Sequence, residues 1–245
     1  MYSMDDQLRE CTRSVLLDAE RTMKNATTYA FCYSHRELES YLDPASYCSK
    51  KEYRPQKRYT TNLIKLLNTL QRNRDNSQNK EYIKHYISSH GCVPLWVLQN
   101  TLTFGNMSAF FDLQKPKIQN AACRNVERIS ELKTHSLGIK DMRLAYRVLS
   151  SFRNICSHEE RLYCARVGRN KYSFGDMFHL LQKVLPEYTV NDYAYAISLA
   201  MLPLTAHPQI KEMVFTRMGI TESFIESCAD KSMLRASIAA RVDED

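Results

Sequence analysis

The sequence predicts an all-α protein. Apolar residues recur every three or four positions almost throughout, glycine and proline number only 6 and 7 in 245 residues, and no segment makes a convincing strand. No internal repeat or low-complexity segment breaks the pattern, so a single helical domain over 1–245 is expected, with disorder confined to the two ends.

The elements follow in order. Residues 5–40 read as one helix, because Cys11, Val15, Ala19, Met23, Ala26 and Ala30 line one side, and Asp43-Pro44 closes it. The stretch "SYCSKKEYRPQKRY" is a loop, about 47–59. It is followed by a helix carrying Leu63, Ile64, Leu67 and Leu70, then the polar run "QRNRDNSQNK", a linker or exposed turn. A short helix covers Tyr82 to Ile87. "PLWVLQNTLTFGNMSAFFDL" opens with proline at a first helical turn and predicts a buried helix pair or one kinked helix, with Trp96 assigned to packing. Pro116 opens a helix to Leu132, and Gly138 precedes a longer one over about 140–166 whose inner side is Leu144, Val148, Phe152, Ile155, Leu162 and Tyr163. "GRNKYSFGD" reads as a turn. "DMFHLLQKVLP" and "TVNDYAYAISLAML" are two more helices, the second capped by Thr189 or Asn191, and a last helical stretch follows Pro203 and Pro208.

Composition narrows the function classes. Thirty-four Lys and Arg against 27 Asp and Glu leave a formal charge of +7, and 15 tyrosines are available to stack, so a polyanion such as RNA is a fitting partner. The alternative is a solvated basic surface. Five of the cations, Lys50, Lys51, Arg54, Lys57 and Arg58, alternate with Tyr47, Tyr53 and Tyr59 in the first loop, which makes that loop a candidate phosphate-backbone contact. Eight cysteines lie scattered with no Cys-x-x-Cys pair, the start lacks a secretory apolar run, and no run of about 18 apolar residues exists. Reduced cysteines in a cytoplasmic protein, with no membrane span, are expected.

One segment carries more charge than a core helix should. "SSFRNICSHEERLY", residues 150–163, sets Arg153, Asn154, His158 and Arg161 among apolar positions. On an ideal helix Asn154 and His158 stand roughly 40° apart with Arg161 beside them, while Arg153 lies about 140° from His158. A curled arginine stem, an irregular helix, or two copies of the helix would each bring both groups to one atom. The residue types suit RNA cleavage by an internal 2′-hydroxyl. Imidazole moves protons near neutrality, guanidinium holds and stabilises a phosphate, and Asn154 orients either one; the scheme requires no metal and no cofactor. The plain alternative is a solvated face with local Arg–Glu pairs. A zinc site at Cys156, His158 and Cys164 fits no familiar ligand spacing.

"FRNICSHEERLY" resembles the "RN-x-x-(A/S)H-x-x-RL" signature of the Abi-like proteins, the AbiD and AbiF kind, abortive-infection proteins of the HEPN superfamily of helical RNases. "VPLWVLQNTLTFGNMSAFFDL" is similar to a second block of that family, "P-x-W-V-x-x-E-x-(L/M)-(T/S)-F-G-x-(L/M)-S". The two blocks span about residues 90–165, and weaker similarity extends over most of the chain. The resemblance implies a helical bundle of HEPN type with additional helices. It also implies a homodimer in which two motifs form one composite site, with Arg153, Asn154 and His158 at the catalytic positions and Arg161 as phosphate contact or structural support. The setting it implies is antiphage defence, with a structured noncoding RNA restraining or guiding the protein.

The chain departs from the pattern in three ways. Gln99-Asn100 stands where many members have glutamate. The tyrosine-rich "N-Y-Y-R" stretch has no counterpart before Met1. Glu160 replaces the tyrosine of the His-x-Tyr toxins that are regulated by nucleotide transfer. Two functions of other classes stay open beside the endoribonuclease: a noncatalytic protein holding a structured RNA, and a protein-interaction or sensor domain that uses the motif helices only to dimerise.

Overall fold

A 33-residue helix, α1 (Tyr2–Ser34), begins the chain. Its buried stripe of Val15, Ala19, Met23, Ala26 and Ala30 is the one the periodicity predicts. The helix stops at Ser34 instead of 40, and the chain to Asp43-Pro44 is spent on short 3₁₀ turns, one started by Asp43, whose carboxylate accepts the Ala45 N–H at 2.9 Å. The computed structural model describes residues 2–75, 80–132 and 136–242, and side chains from 3 to 237 of these. Residues 76–79 of the expected linker and the acidic end 243–245 lie outside them.

Among the described residues ten further helices follow: α2 (Tyr59–Asp75), α3 (Glu81–His90), α4 (Leu95–Leu98), α5 (Phe104–Asp112), α6 (Pro116–Ile129), α7 (Ile139–Ser157), α8 (Phe174–Gln182), α9 (Glu187–Met201), α10 (Pro208–Met218) and α11 (Glu222–Val242). Among the described residues there is no strand, only an isolated bridge between Val167 and Tyr172, so the fold is all-α. The chain forms two compact units: residues 1–20, 129–133 and 148–245 make the first, and 21–128 with 134–147 the second.

The second unit packs around aromatic rings. Phe31, Phe104, Phe110, Phe111 and Tyr146 are fully buried, with Phe31 meeting Phe110 at 5.2 Å and Tyr146 meeting Phe104 at 5.5 Å. Polar atoms carried inside find partners, as burial requires: Tyr146 bonds the Thr27 hydroxyl at 2.8 Å, and Thr28 donates to Gln99 at 2.8 Å. The segment expected as a helix pair or one kinked helix is a pair. Thr103 accepts the Asn106 N–H at 3.1 Å and restarts the chain as α5.

In the first unit, Leu149, Phe152, Phe174 and Phe178 are fully buried, and Tyr193 lies 5.7 Å from Phe178 while sharing a 2.7 Å bond with Thr12. Ser173 and Asp176 form a reciprocal capping box that starts α8, so the predicted turn ends in a helix start. Pro186, not Thr189 or Asn191, precedes α9, and it makes no side-chain capping bond. The final stretch is two helices because Gly219 takes φ 71°, a left-handed stop. Gly175 faces that stop: a Cβ there would sit 2.0 Å from the Gly219 carbonyl oxygen, so only glycine fits.

Candidate active site

The C-terminal half of α7 belongs to the first unit, and its register is set by Val148, Leu149, Phe152 and Cys156, all buried. Burying Phe152 alone is worth about 2–3 kcal/mol, which fixes the helix rotation and hence where every polar residue between these positions points. Asn154 and His158 are left exposed and Arg153 half-buried. Cys156 is a core thiol, pushed up to about 12 chiefly by burial.

The helix ends nine residues earlier than predicted, at Ser157 and not 166. His158 makes the last helical bond, its N–H donating to Asn154 at 3.0 Å. Glu159 then adopts φ 56°, and the Glu160 N–H turns back to Ile155 at 3.2 Å. This is the Schellman arrangement, with glutamate in the left-handed place that glycine normally occupies at a cost of roughly 1–2 kcal/mol. His158 therefore stands on a helix terminus, open to solvent. Arg161 is exposed but on the following loop, so the single helical stripe of Asn154, His158 and Arg161 expected from an ideal wheel is not formed.

Leu162 and Tyr163 are buried, as predicted, though not as part of the helix. The Asp5 carboxylate on α1, itself buried, accepts the Leu162 N–H at 3.2 Å and the Tyr163 N–H at 3.1 Å. Arg9 braces the same segment: it pairs with Asp5 at 2.6 Å and with Asp6, and donates to the Glu160 carbonyl at 3.3 Å. One carboxylate thus satisfies two buried backbone donors and a guanidinium, which locks the turn that carries His158. Arg153 is held by the same helix, its Nε 3.6 Å from Oε2 of the buried Glu20. The arginine side chain is about one third exposed, so the guanidinium can still reach an anion in solvent.

Asp5, Arg9 and Glu20 escaped sequence reasoning. Each is separated from its partner by more than 130 positions, and the only local signal was an acid, Glu20, directly after the apolar Ala19.

The basic loop lies in the second unit. Lys50, Lys51, Arg54, Lys57 and Arg58 are all exposed, but the tyrosines among them point inward. Tyr47 donates to the Tyr41 carbonyl at 2.5 Å, Tyr59 donates to Cys48 at 2.6 Å, and the Tyr53 hydroxyl accepts from Asn62 at 2.7 Å. The rings pin the loop rather than offer stacking faces. Arg54 is partly spent on its own loop, donating to the Lys51 and Tyr53 carbonyls at 2.6 and 2.9 Å. Trp96, expected to pack, is 53% exposed, because Leu95, Val97 and Leu98 take the inward positions of the one-turn α4.

All eight cysteines are free, and among the described residues no group of three His, Cys, Asp or Glu side chains is arranged to hold a metal. No described helix is long and apolar enough to cross a membrane.

The model of the Abi-like protein family matches residues 1–164. The chain belongs to the Abi-like family. The matched stretch of this Abi-like chain contains every residue of the arrangement just described, from Asp5, Arg9 and Glu20 to Arg153, His158 and Tyr163, and it ends before α8. Membership suggests abortive-infection defence as its setting. No curated protein and no solved structure matches the chain.

Proposed function

We propose that this Abi-like protein is a HEPN-type endoribonuclease of antiphage defence, cytoplasmic and dimeric, in which two copies of the α7 terminus form one composite site. The reading is supported by an exposed imidazole, His158, on a pinned helix end, and by a half-buried guanidinium, Arg153, about one turn and a half earlier on the same helix with its Nε 3.6 Å from the Glu20 carboxylate. The reaction needs little else. A ribose 2′-oxygen attacks the adjacent phosphorus while its proton passes to one imidazole. The bond to the 5′-oxygen breaks, and that oxygen takes a proton from the other protomer's imidazole. The products are a 2′,3′-cyclic phosphate and a 5′-hydroxyl. Arg153 holds the non-bridging oxygens and stabilises their charge, and Asn154, exposed one residue on, orients the phosphate or the ring. Two copies are required because one imidazole cannot serve as base and acid in the same step. Arg161 follows the turn and supplies a further phosphate contact or supports it.

The test is cleavage of single-stranded RNA by the purified protein in EDTA. His158→Ala is expected to lower the rate by about 100-fold or more with the helical spectrum unchanged. Undiminished cleavage by that variant would remove His158 from the chemistry.

A second reading is favoured by one observation, the five exposed cations of the 47–59 loop. On it, the protein holds a structured noncoding RNA without cutting it, and retention of RNA with no products, the same in His158→Ala, would decide for it.

A further inference from the structure

Three large aromatic side chains of the second unit lie in solvent around one cleft. Tyr29 and Tyr33, on successive turns of α1, are 62% and 65% exposed, and Trp96 on α4 is 53% exposed. They line a cavity of about 450 Å³. Their exposure follows from the registers of their helices: Thr27, Ala30 and Phe31 take the buried side of α1, and Leu95, Val97 and Leu98 that of α4. The rings are also organised. Tyr29 and Tyr33 stack with centroids 6.3 Å apart at 26°, and the Arg36 guanidinium lies 4.9 Å from the Tyr33 centroid. His35 in the wall packs on Phe31 at 4.6 Å, and burial, with Lys115 adding to it, holds its pKa below the ordinary value, which favours the neutral ring.

The exposed Trp96 and Tyr29 rings, with a guanidinium held over Tyr33, parallel the means by which proteins hold unpaired bases, which stack regardless of identity and carry a phosphate within reach of a cation. An aliphatic helix would find only Leu38 as an exposed apolar chain of matching kind in this cleft. We propose that the Tyr29–Tyr33–Trp96 cleft is a stacking subsite for unpaired bases of single-stranded RNA. It rests on the reading of the protein as one that acts on RNA, but requires no cleavage. It also returns to Trp96 a role that the inward-turned tyrosines of the basic loop do not fill.

Trp96 is the only tryptophan in the chain and so reports on this cleft alone. The experiment titrates the full chain with a short single-stranded 2′-O-methyl oligonucleotide, which has no free 2′-hydroxyl and is not cut, and reads tryptophan emission beside the anisotropy of a labelled copy. Saturable quenching is expected, with the same midpoint by both readouts. The midpoint should shift about tenfold or more in Tyr33→Ala, be largely restored in Tyr33→Phe, and weaken for the duplex form of the oligonucleotide, whose bases are already stacked. Tyr33 is exposed enough for its variants to fold, which circular dichroism checks. Absence of binding would overturn the proposal. So would binding by anisotropy that neither changes Trp96 emission nor responds to Tyr33→Ala. Quenching by a proline-rich peptide but not by the oligonucleotide, or emission that follows protein concentration alone, would assign the cleft to a protein partner and overturn it equally. Because the probe is inert, loss of quenching says nothing against cleavage, and loss of cleavage says nothing against quenching.

Discussion

Residues 153–163 and 47–59 each set charged side chains among apolar or aromatic ones, two arginines and two glutamates in the first and five cations with one glutamate in the second, yet they are built on opposite plans. In the first, the charged groups are engaged by α1: the Glu20 carboxylate lies 3.6 Å from Arg153, and Asp5 with Arg9 ties down the turn after His158. In the second, the tyrosines are fixed and the cations are left in water. A reaction needs groups placed to a fraction of an ångström, whereas attraction to a polyanion needs only charge nearby. The contrast separates a region suited to chemistry from one suited to retention.

The sharpest way to break the contrast is at Arg153. Arg153→Ala is expected to lower RNA cleavage by roughly 100-fold or more, since it removes the proposed phosphate clamp. Arg153→Lys keeps a cation near Glu20 and should hold the thermal midpoint while recovering only a small part of the rate, the planar fork being lost. Equal recovery of both would show that charge alone is required there.

Next is the pin. Asp5→Ala leaves two buried N–H groups and Arg9 without their acceptor, a cost of about 3 kcal/mol. A thermal melt should fall by roughly 6–12 °C. Cleavage by the fraction still folded should fall too, although Asp5 touches no substrate. An unchanged melt would mean that the turn holds itself.

The loop should behave in the other way. Lys50→Ala combined with Lys51→Ala is expected to leave the melt unchanged and weaken RNA retention severalfold, with the slope of log affinity against log salt shallower by about 0.7 per cation removed. A salt slope equal to that of the wild type would take the loop out of RNA contact.

How much of this could be read beforehand differs between residues for physical reasons. The inner side of α7 was legible at Val148 and Phe152, since burial follows helical period. Its end was not. The stop is written in backbone conformation at Glu159, where glycine would have announced it, and the following Glu160-Arg161 continues the pattern of a good helix former. Leu162 and Tyr163 are in the core because Asp5 draws their amides in, a contact across more than 150 residues that no local pattern encodes. In the loop, spacing placed Tyr47, Tyr53 and Tyr59 beside the cations but could not say which way the rings turn. The carbonyls of Tyr41 and Cys48 accept two of the hydroxyls and so hold the rings inward. Trp96 shows the reverse error: burial is an average tendency of aromatics, and a one-turn helix with three better-placed neighbours leaves its ring outside.

The smallest effect concerns that stop. Glu159→Gly relieves the left-handed glutamate and is expected to stabilise the fold by about 1 kcal/mol, raising the melt by roughly 2–4 °C. A fall would place a side-chain contact of Glu159 above its backbone strain.

The measurement closest to the central claim is the chemistry of the ends left on cut RNA. Mass spectrometry of the fragments should find a 2′,3′-cyclic phosphate on one side and a 5′-hydroxyl on the other, with no cut at a nucleotide whose 2′-hydroxyl is replaced by hydrogen. A 3′-hydroxyl paired with a 5′-phosphate would mean that water attacks the phosphorus, and would contradict the assignment of His158 and Arg153.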